Sequence, residues 1–275
     1  MKPGRFLYSQ SLRSSAQRGI TLIELMVGIT IGLLTVAVAM GALVVSRGAS
    51  GTISDATQMQ QQAAYAFRLI GQQLRQAGSI RLNLAATQAA PTTISPQEVV
   101  AFETSFDKAN STVTGLDSPT ATQFKFSVAY QNYQEATFPS STQASLFRNC
   151  LGEQGTATVV QSQFAMRSGT LFCAGTGAAQ PVIRNVQDFQ VWYFLQANAD
   201  VGNPTIQRVN AAGVGTNWAR VFAVEVCLDL FGDETVDIPA ASTYQDCSNN
   251  AVSFNKRLHM VFRNTYQIRS QGTAG

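Results

Sequence analysis

Charge is scarce in this sequence and histidine almost missing. Charged side chains make up 13% of the 275 residues, about half of the roughly 25% usual in soluble domains. The single histidine, His259, would have to belong to any Ser-His-Asp set. It lies in an alternating apolar–polar stretch beside Arg257, the setting of a sheet residue rather than a catalytic base. No C-x₂-C pair accompanies it, which argues against a zinc site. No glycine-rich loop links a strand pattern to a helix pattern, so nucleotide binding lacks its signature. There is no basic run either: Arg208, Arg220, Lys256, Arg257, Arg263 and Arg269 are interspersed with acids, which argues against nucleic acid as a partner. Asp229, Asp233, Glu234 and Asp237 crowd between two cysteines, but not at the spacing of a twelve-residue calcium loop. A solvated loop closed by a disulfide is expected there. Trp192, Tyr193, Phe194 and Trp218 fall in or near strand patterns and are expected to pack in the core. The expectation is a chain that is not an enzyme and has no cofactor and no metal.

What the sequence does contain is one long apolar run. From Leu25 to Val45 no residue is charged. As a helix at about 1.5 Å per residue those positions extend roughly 31 Å, the thickness of bilayer hydrocarbon. Arg18 and Gly19 stand before the run, and one acid, Glu24, lies at its head. A carboxylate in that position is expensive and calls for a partner. Lys2, Arg5, Arg13 and Arg18 precede Gly19 with no acid among them, and without them the formal charge of +3 becomes −1. Cations flanking a span stay cytoplasmic, which places the amino end inside and everything after Arg47 outside the membrane.

The exported part carries all four cysteines, Cys150, Cys173, Cys227 and Cys247. An even count in an exported domain favours two disulfides. Of the three pairings, Cys150–Cys173 with Cys227–Cys247 is preferred because each closes a local loop. An ordinary secretory signal has a shorter apolar core, with its small-residue cleavage site after it. Here the small residue comes first, and Gly48-Ala49-Ser50 makes only a weak late site. A plain signal anchor accounts for length and orientation but for neither Gly19 nor Glu24.

Gly19-Ile20-Thr21-Leu22-Ile23-Glu24-Leu25-Met26-Val27 resembles the class III signal of type IV pilins and type II secretion pseudopilins. The resemblance implies cleavage by a prepilin peptidase between Gly19 and Ile20, N-methylation of Ile20, and Glu24 as the assembly glutamate. Ile20 stands where that family most often has Phe. Further along, Leu74-Arg75-Gln76-Ala77-Gly78 resembles the close of the long helix in PilW-type minor pilins, relatives of the J-type minor pseudopilins. Residues 182–191 and 257–269 resemble that group's middle and closing strands. The implied partners are the peptidase, other minor pilins and the major pilin, in a filament that starts from the inner membrane. The implied function is priming or tip assembly of a type IV pilus. The alternative is the J-type role in a type II secretion system. An anchored periplasmic ligand-binding domain is the reading from another class.

The resemblance sets the leader boundary, and periodicity gives the rest of the domain plan. Residues 1–19 read as a leader, 20–46 as the membrane half of a helix, 47–80 as its amphipathic half and 81–275 as a β-rich globular domain. Gly28-x-x-x-Gly32 permits close helix approach. Met59, Ala63, Ala66, Phe67, Ile70, Leu74 and Ala77 recur at helical spacing, with glutamines including Gln72 and Gln73 assigned to the other face. Gly78 supplies a stop. Residues 79 to about 120 read as a connecting region with Pro91, Pro96 and Pro119 and one short strand at 98–102. Alternation then marks half-buried antiparallel strands. Phe124 to Tyr130 is one, and a hairpin follows that turns at Arg167-Ser168-Gly169. Phe189 to Leu195 is mostly apolar and reads as covered on both faces. In Val221 to Leu230, Phe222, Val224, Val226, Leu228 and Leu230 face one way; in the last strand Leu258, Met260, Phe262, Tyr266 and Ile268 do. The expected class is α+β and pilin-like: a long amino-terminal helix packed on an antiparallel sheet domain.

Overall fold

The computed structural model describes residues 19–84, 100–103, 107–132, 134–136, 143–145, 147–154, 158–197 and 205–268. The expected leader (apart from Gly19), Pro91, Pro96, the start of the strand expected at 98–102, and Arg269 lie outside the described residues. The chain divides into two compact units, residues 1–50 and 51–275.

The first unit contains the head of α1, a helix from Leu22 to Gln76. By length and composition α1 can cross a membrane. Its large apolar side chains from Leu22 to Val44 are exposed in the isolated chain. The hydroxyls of Thr30 and Thr35 donate to the carbonyls of Val27 and Gly32, at 2.9 and 2.8 Å. Both polar groups are therefore satisfied within the helix, as hydrocarbon requires.

In the second unit the remainder of α1 is amphipathic. Met59, Ala63, Ala66, Ile70 and Leu74 are buried, and Ala77 follows just past the helix end. There Gly78 turns the chain at φ 64° and donates its N–H to the carbonyl of Ala129, the left-handed stop that glycine adopts without a Cβ penalty.

The elements after α1 are β1 (Arg81–Leu84), β2 (Val100–Glu103), α2 (Lys108–Ser111), β3 (Val113–Gly115), β4 (Phe126–Gln131), β5 (Gln134–Ala136), β6 (Gln143–Ser145), β7 (Val159–Arg167), β8 (Thr170–Ala174), β9 (Gln180–Arg184), β10 (Val186–Ala197), β11 (Thr205–Val209), α3 (Ala211–Val214), β12 (Val221–Thr235), β13 (Thr243–Gln245), β14 (Ala251–Ser253) and β15 (Arg257–Gln267). Two antiparallel sheets dominate. One has the strand order β3-β4-β7-β8-β9 and the other β11-β10-β12-β15. The β7–β8 hairpin turns through Ser168 and Gly169, both at positive φ (47° and 73°). That pair of conformations matches the right-handed twist of the flanking strands. The domain is thus a long helix, apolar in its first half, packed through its second half on antiparallel sheet.

The helix reaches both large sheets. Gln73 contacts β4 and β7, and the hydroxyl of Tyr266 in β15 donates to the carbonyl of Phe67 at 2.7 Å. Asp55, 6% exposed, accepts the N–H of Glu234 near the end of β12. Gly71 makes the Tyr266 contact possible, because a Cβ there would run into the ring of Tyr266. Gly71→Ala gains about 1 kcal/mol of helix propensity but overpacks the interface at about 1–3 kcal/mol. The expected outcome is a net loss of stability in urea unfolding, whereas in a Tyr266→Ala background, which lacks the ring, adding Gly71→Ala should cost nothing further.

Several details differ from the sequence reading. The stretch read as a connecting region with one strand also forms β1, α2 and β3. Strand β4 is buried along its whole length, not on one face. Strand β10 is the reverse, with Val186, Phe189, Val191, Tyr193 and Leu195 buried and the residues between them partly exposed. Phe222 does not share the core face with Val224. A register shift opposite Phe194 and Leu195 turns Val221 inward, leaving Phe222 beside Phe194 at 6.4 Å between ring centroids. Gln73 is not on the solvent side but only 1% exposed.

Candidate functional site

The residues singled out at the amino end lie at the start of α1. Gly19, Ile20 and Thr21 precede the helix, and all three are exposed. Ile20 therefore stands two residues outside the first helical residue, Leu22. Glu24 is in the first turn, where the positive end of the helix dipole favours a carboxylate. Because the helix does not reach Ile20, the structure does not bring Ile20 and Glu24 together on one helical face. Gly19 has open space where a Cβ would be. Nothing among the described residues of this chain calls for glycine at that position.

The cysteines lie in the second unit. Cys150 is bonded to Cys173, with Cα atoms 6.3 Å apart, and Cys227 to Cys247, at 5.8 Å. The second bond ties β12 to the turn of the β13–β14 hairpin, whose strands of three residues are too short to stand alone in water. Arg263 adds to the clamp by donating to the carbonyls of Asp246 and Cys247. Cys227→Ser with Cys247→Ser is expected to lower stability by about 3 kcal/mol, the loop-closure value for such a separation. Hydrogen exchange should rise first in residues 243–253.

The hairpin covers a polar cluster that the sequence reading placed in solvent. Asp229 is 1% exposed. Its carboxylate accepts from the hydroxyl of Tyr244 at 2.7 Å and lies 3.2 Å from Nδ1 of His259. The rings of Tyr244 and His259 stack at 4.5 Å. Burial, with Asp229 beside it, pushes the Tyr244 hydroxyl pKa upward, so it stays a donor. His259 is thus a buried partner of a carboxylate, and no serine appears in this set of contacts. Asp233 accepts from Asn185, and the backbone N–H of Glu234 is held by Asp55. Among the described residues no group of three or more His, Cys, Asp or Glu side chains could hold a metal ion.

Several of the aromatic and basic residues are engaged within the fold. Tyr193 is buried edge-on to Trp218 at 5.0 Å. The Arg208 guanidinium lies 4.0 Å from the Trp192 ring centre and pairs with Glu225. Sequence reasoning missed Asp55, Gln73 and Tyr244, the polar groups that fasten elements together. Of these Asp55 and Gln73 carried a signal, their spacing within the apolar stripe.

Comparison with known proteins bears on the amino end. Residues 14–40 match the family described as the prokaryotic N-terminal methylation motif, a stretch that contains Gly19, Ile20 and Glu24. No functionally curated protein matches the chain. Among solved structures it is similar to a type IV-like pilin, TTHA1219 from Thermus thermophilus. The two share 12% identity over 78% of this chain and 99% of that one, with a TM-score of 0.39.

Proposed function

We propose that this chain is a minor pilin, cleaved between Gly19 and Ile20 by a prepilin peptidase, methylated on the new amino group of Ile20, and assembled into the tip or priming complex of a type IV pilus. The observation that carries this reading is the methylation motif over residues 14–40, placed at the head of a helix that is charge-free from Leu25 to Val45. Residues 1–19 are the leader, and the apolar half of α1 anchors the precursor in the inner membrane with its amino end cytoplasmic. The domain after Arg47 is exported, consistent with its two disulfides.

Assembly follows from the chemistry of Glu24. Cleavage creates an ammonium at Ile20, and neither it nor the Glu24 carboxylate is tolerable alone in hydrocarbon. Pairing the amine of one subunit with Glu24 of a neighbour removes both penalties and sets the axial register between them. The PilW-type assignment is supported by the Leu74-to-Gly78 ending and the strand resemblances. The same physics would serve a J-type pseudopilin, and the location of the filament separates the two. In the pilus reading the mature chain co-purifies with filaments sheared from the cell surface and depends on the prepilin peptidase for its presence there. Recovery only with a secretion system's periplasmic filament would sink the pilus assignment.

A further inference from the structure

The start of α1 is held by the side chain of Thr21. Thr21 Oγ1 accepts the backbone N–H of Glu24 at 3.3 Å, and the Thr21 carbonyl accepts the N–H of Leu25 at 3.1 Å. Thr21 is thus the N-cap of the helix, and Thr21-Leu22-Ile23-Glu24 has the Ser/Thr-x-x-Glu spacing of a capping box. The peptide bond between Gly19 and Ile20 lies just outside the helix that this cap begins.

We propose that Thr21 is a positioning residue for cleavage: its hydroxyl fixes the helix start at Leu22 and so keeps the Gly19–Ile20 bond non-helical and open to the peptidase. The inference rests on the cleavage reading above. Two observations give it force. First, the residue two positions upstream is Gly19, and glycine ranks about level with threonine as an N-cap. The helix therefore has a second start available, at Ile20, and the Thr21 hydroxyl decides between them. Second, from Ile20 to Val45 the sequence carries no charge except Glu24, and in the anchoring reading its surroundings are hydrocarbon. Amides released by loss of the cap must find partners there, so the helix responds by growing upstream rather than by fraying. A helix starting at Ile20 takes the scissile peptide into its first turn, and cleavage then waits on local unwinding.

The test uses the full-length precursor in membranes with a prepilin peptidase, comparing Thr21→Ser and Thr21→Val with the parent chain. Initial rates are measured against substrate concentration, and the new amino terminus is read by mass spectrometry. Serine retains the acceptor, whereas valine retains the shape and β-branching but not the acceptor. Thr21→Ser should behave like the parent. Thr21→Val should raise KM about fivefold with kcat unchanged, because only the non-helical fraction binds and a cap contributes about 1 kcal/mol. Parent-like kinetics for Thr21→Val would overturn the proposal, as would equal impairment of Thr21→Ser. A loss confined to kcat would also overturn it, since it would place the hydroxyl against the peptidase rather than in the helix cap. A parent chain that is not cut at Gly19 at all would remove the cleavage reading itself, a result distinct from the other three.

Discussion

Glu24→Ala should leave the protein inserted in the membrane and cleaved, yet reduce its recovery in filaments by about a hundredfold. The magnitude follows from the ionic groups involved. An unpaired charge at the centre of a membrane helix costs about 2.5–3.5 kcal/mol even on the mildest scales, and each 1.4 kcal/mol is a factor of ten. In the variant the Ile20 ammonium of an arriving subunit finds no carboxylate on its neighbour and bears that cost in full. Insertion is spared because the run from Leu25 to Val45 is unchanged, and removing an acid from its head makes insertion easier. Cleavage is spared because Glu24 lies beyond the scissile bond and Thr21 caps with its own oxygen. Glu24→Gln separates charge from hydrogen bonding: it keeps an acceptor but cannot neutralise an ammonium, and should resemble Glu24→Ala. Immunoblotting of membrane and sheared-filament fractions measures all three properties. Parent-level filament recovery for Glu24→Ala would contradict the pairing account.

The largest expected loss of stability from a single polar residue is at Gln73. Its Oε1 accepts from the hydroxyl of Tyr130 in β4 at 2.9 Å and from Ser162 in β7 at 2.8 Å. Tyr130 is also 2.7 Å from the carbonyl of Arg148, to which Gln73 Nε2 donates at 3.4 Å. One glutamine therefore satisfies a helix, two strands and a loop within the core. Burial pushes the Tyr130 hydroxyl pKa upward, so it stays protonated and able to donate throughout the physiological range. Gln73→Leu keeps the volume but leaves the Ser162 hydroxyl without this acceptor and removes one from Tyr130. At about 1–3 kcal/mol for a buried group left unpaired, and with Tyr130 still held by the Arg148 carbonyl, the expected loss is about 1–3 kcal/mol. For a domain of this size that corresponds to a Tm lower by about 2–12 °C. Adding Ser162→Ala removes the stranded hydroxyl but also takes the acceptor from the buried Cys150 N–H, so it should not restore the parent's stability. A Gln73→Leu protein as stable as the parent would show that the network contributes nothing net.

The long helix is legible because its periodicity is strong. Met59, Ala63, Ala66, Ile70 and Leu74 mark the buried face without any knowledge of the sheets. The site at its head is legible for a different reason, since Gly19 and Glu24 depart from what a simple anchor requires. Gln73 is harder because glutamine reads as a solvent residue by type. Its position, seven after Ala66 and three after Ile70, is nevertheless on the apolar stripe, and spacing outweighs residue type there. Thr21 is similar, as the Thr-x-x-Glu pattern at the edge of an apolar run is a cap signature.

Other features depend on contacts between distant segments. Phe222 alternates with Val224 in the sequence, but a bulge in the β10–β12 ladder reverses its face. Such a shift follows from pairing, not from local pattern. Asp229 falls on the face of β12 away from the main core, where alternation predicts exposure. It is buried because the β13–β14 hairpin, tethered through Cys247, folds over that face. Strand β4 alternates like a half-buried strand and is buried on both sides. In each case the sequence shows the strand, while another part of the chain determines what covers it.

The mature amino terminus is the most direct test, because every later step requires it. Intact-protein and peptide mass spectrometry on the chain purified from cells that carry a prepilin peptidase should find a protein beginning at Ile20 with one methyl group on its amino nitrogen. A chain that retains residues 1–19 in those cells would leave Glu24 with no new amine to meet, and would contradict the account of assembly at its root.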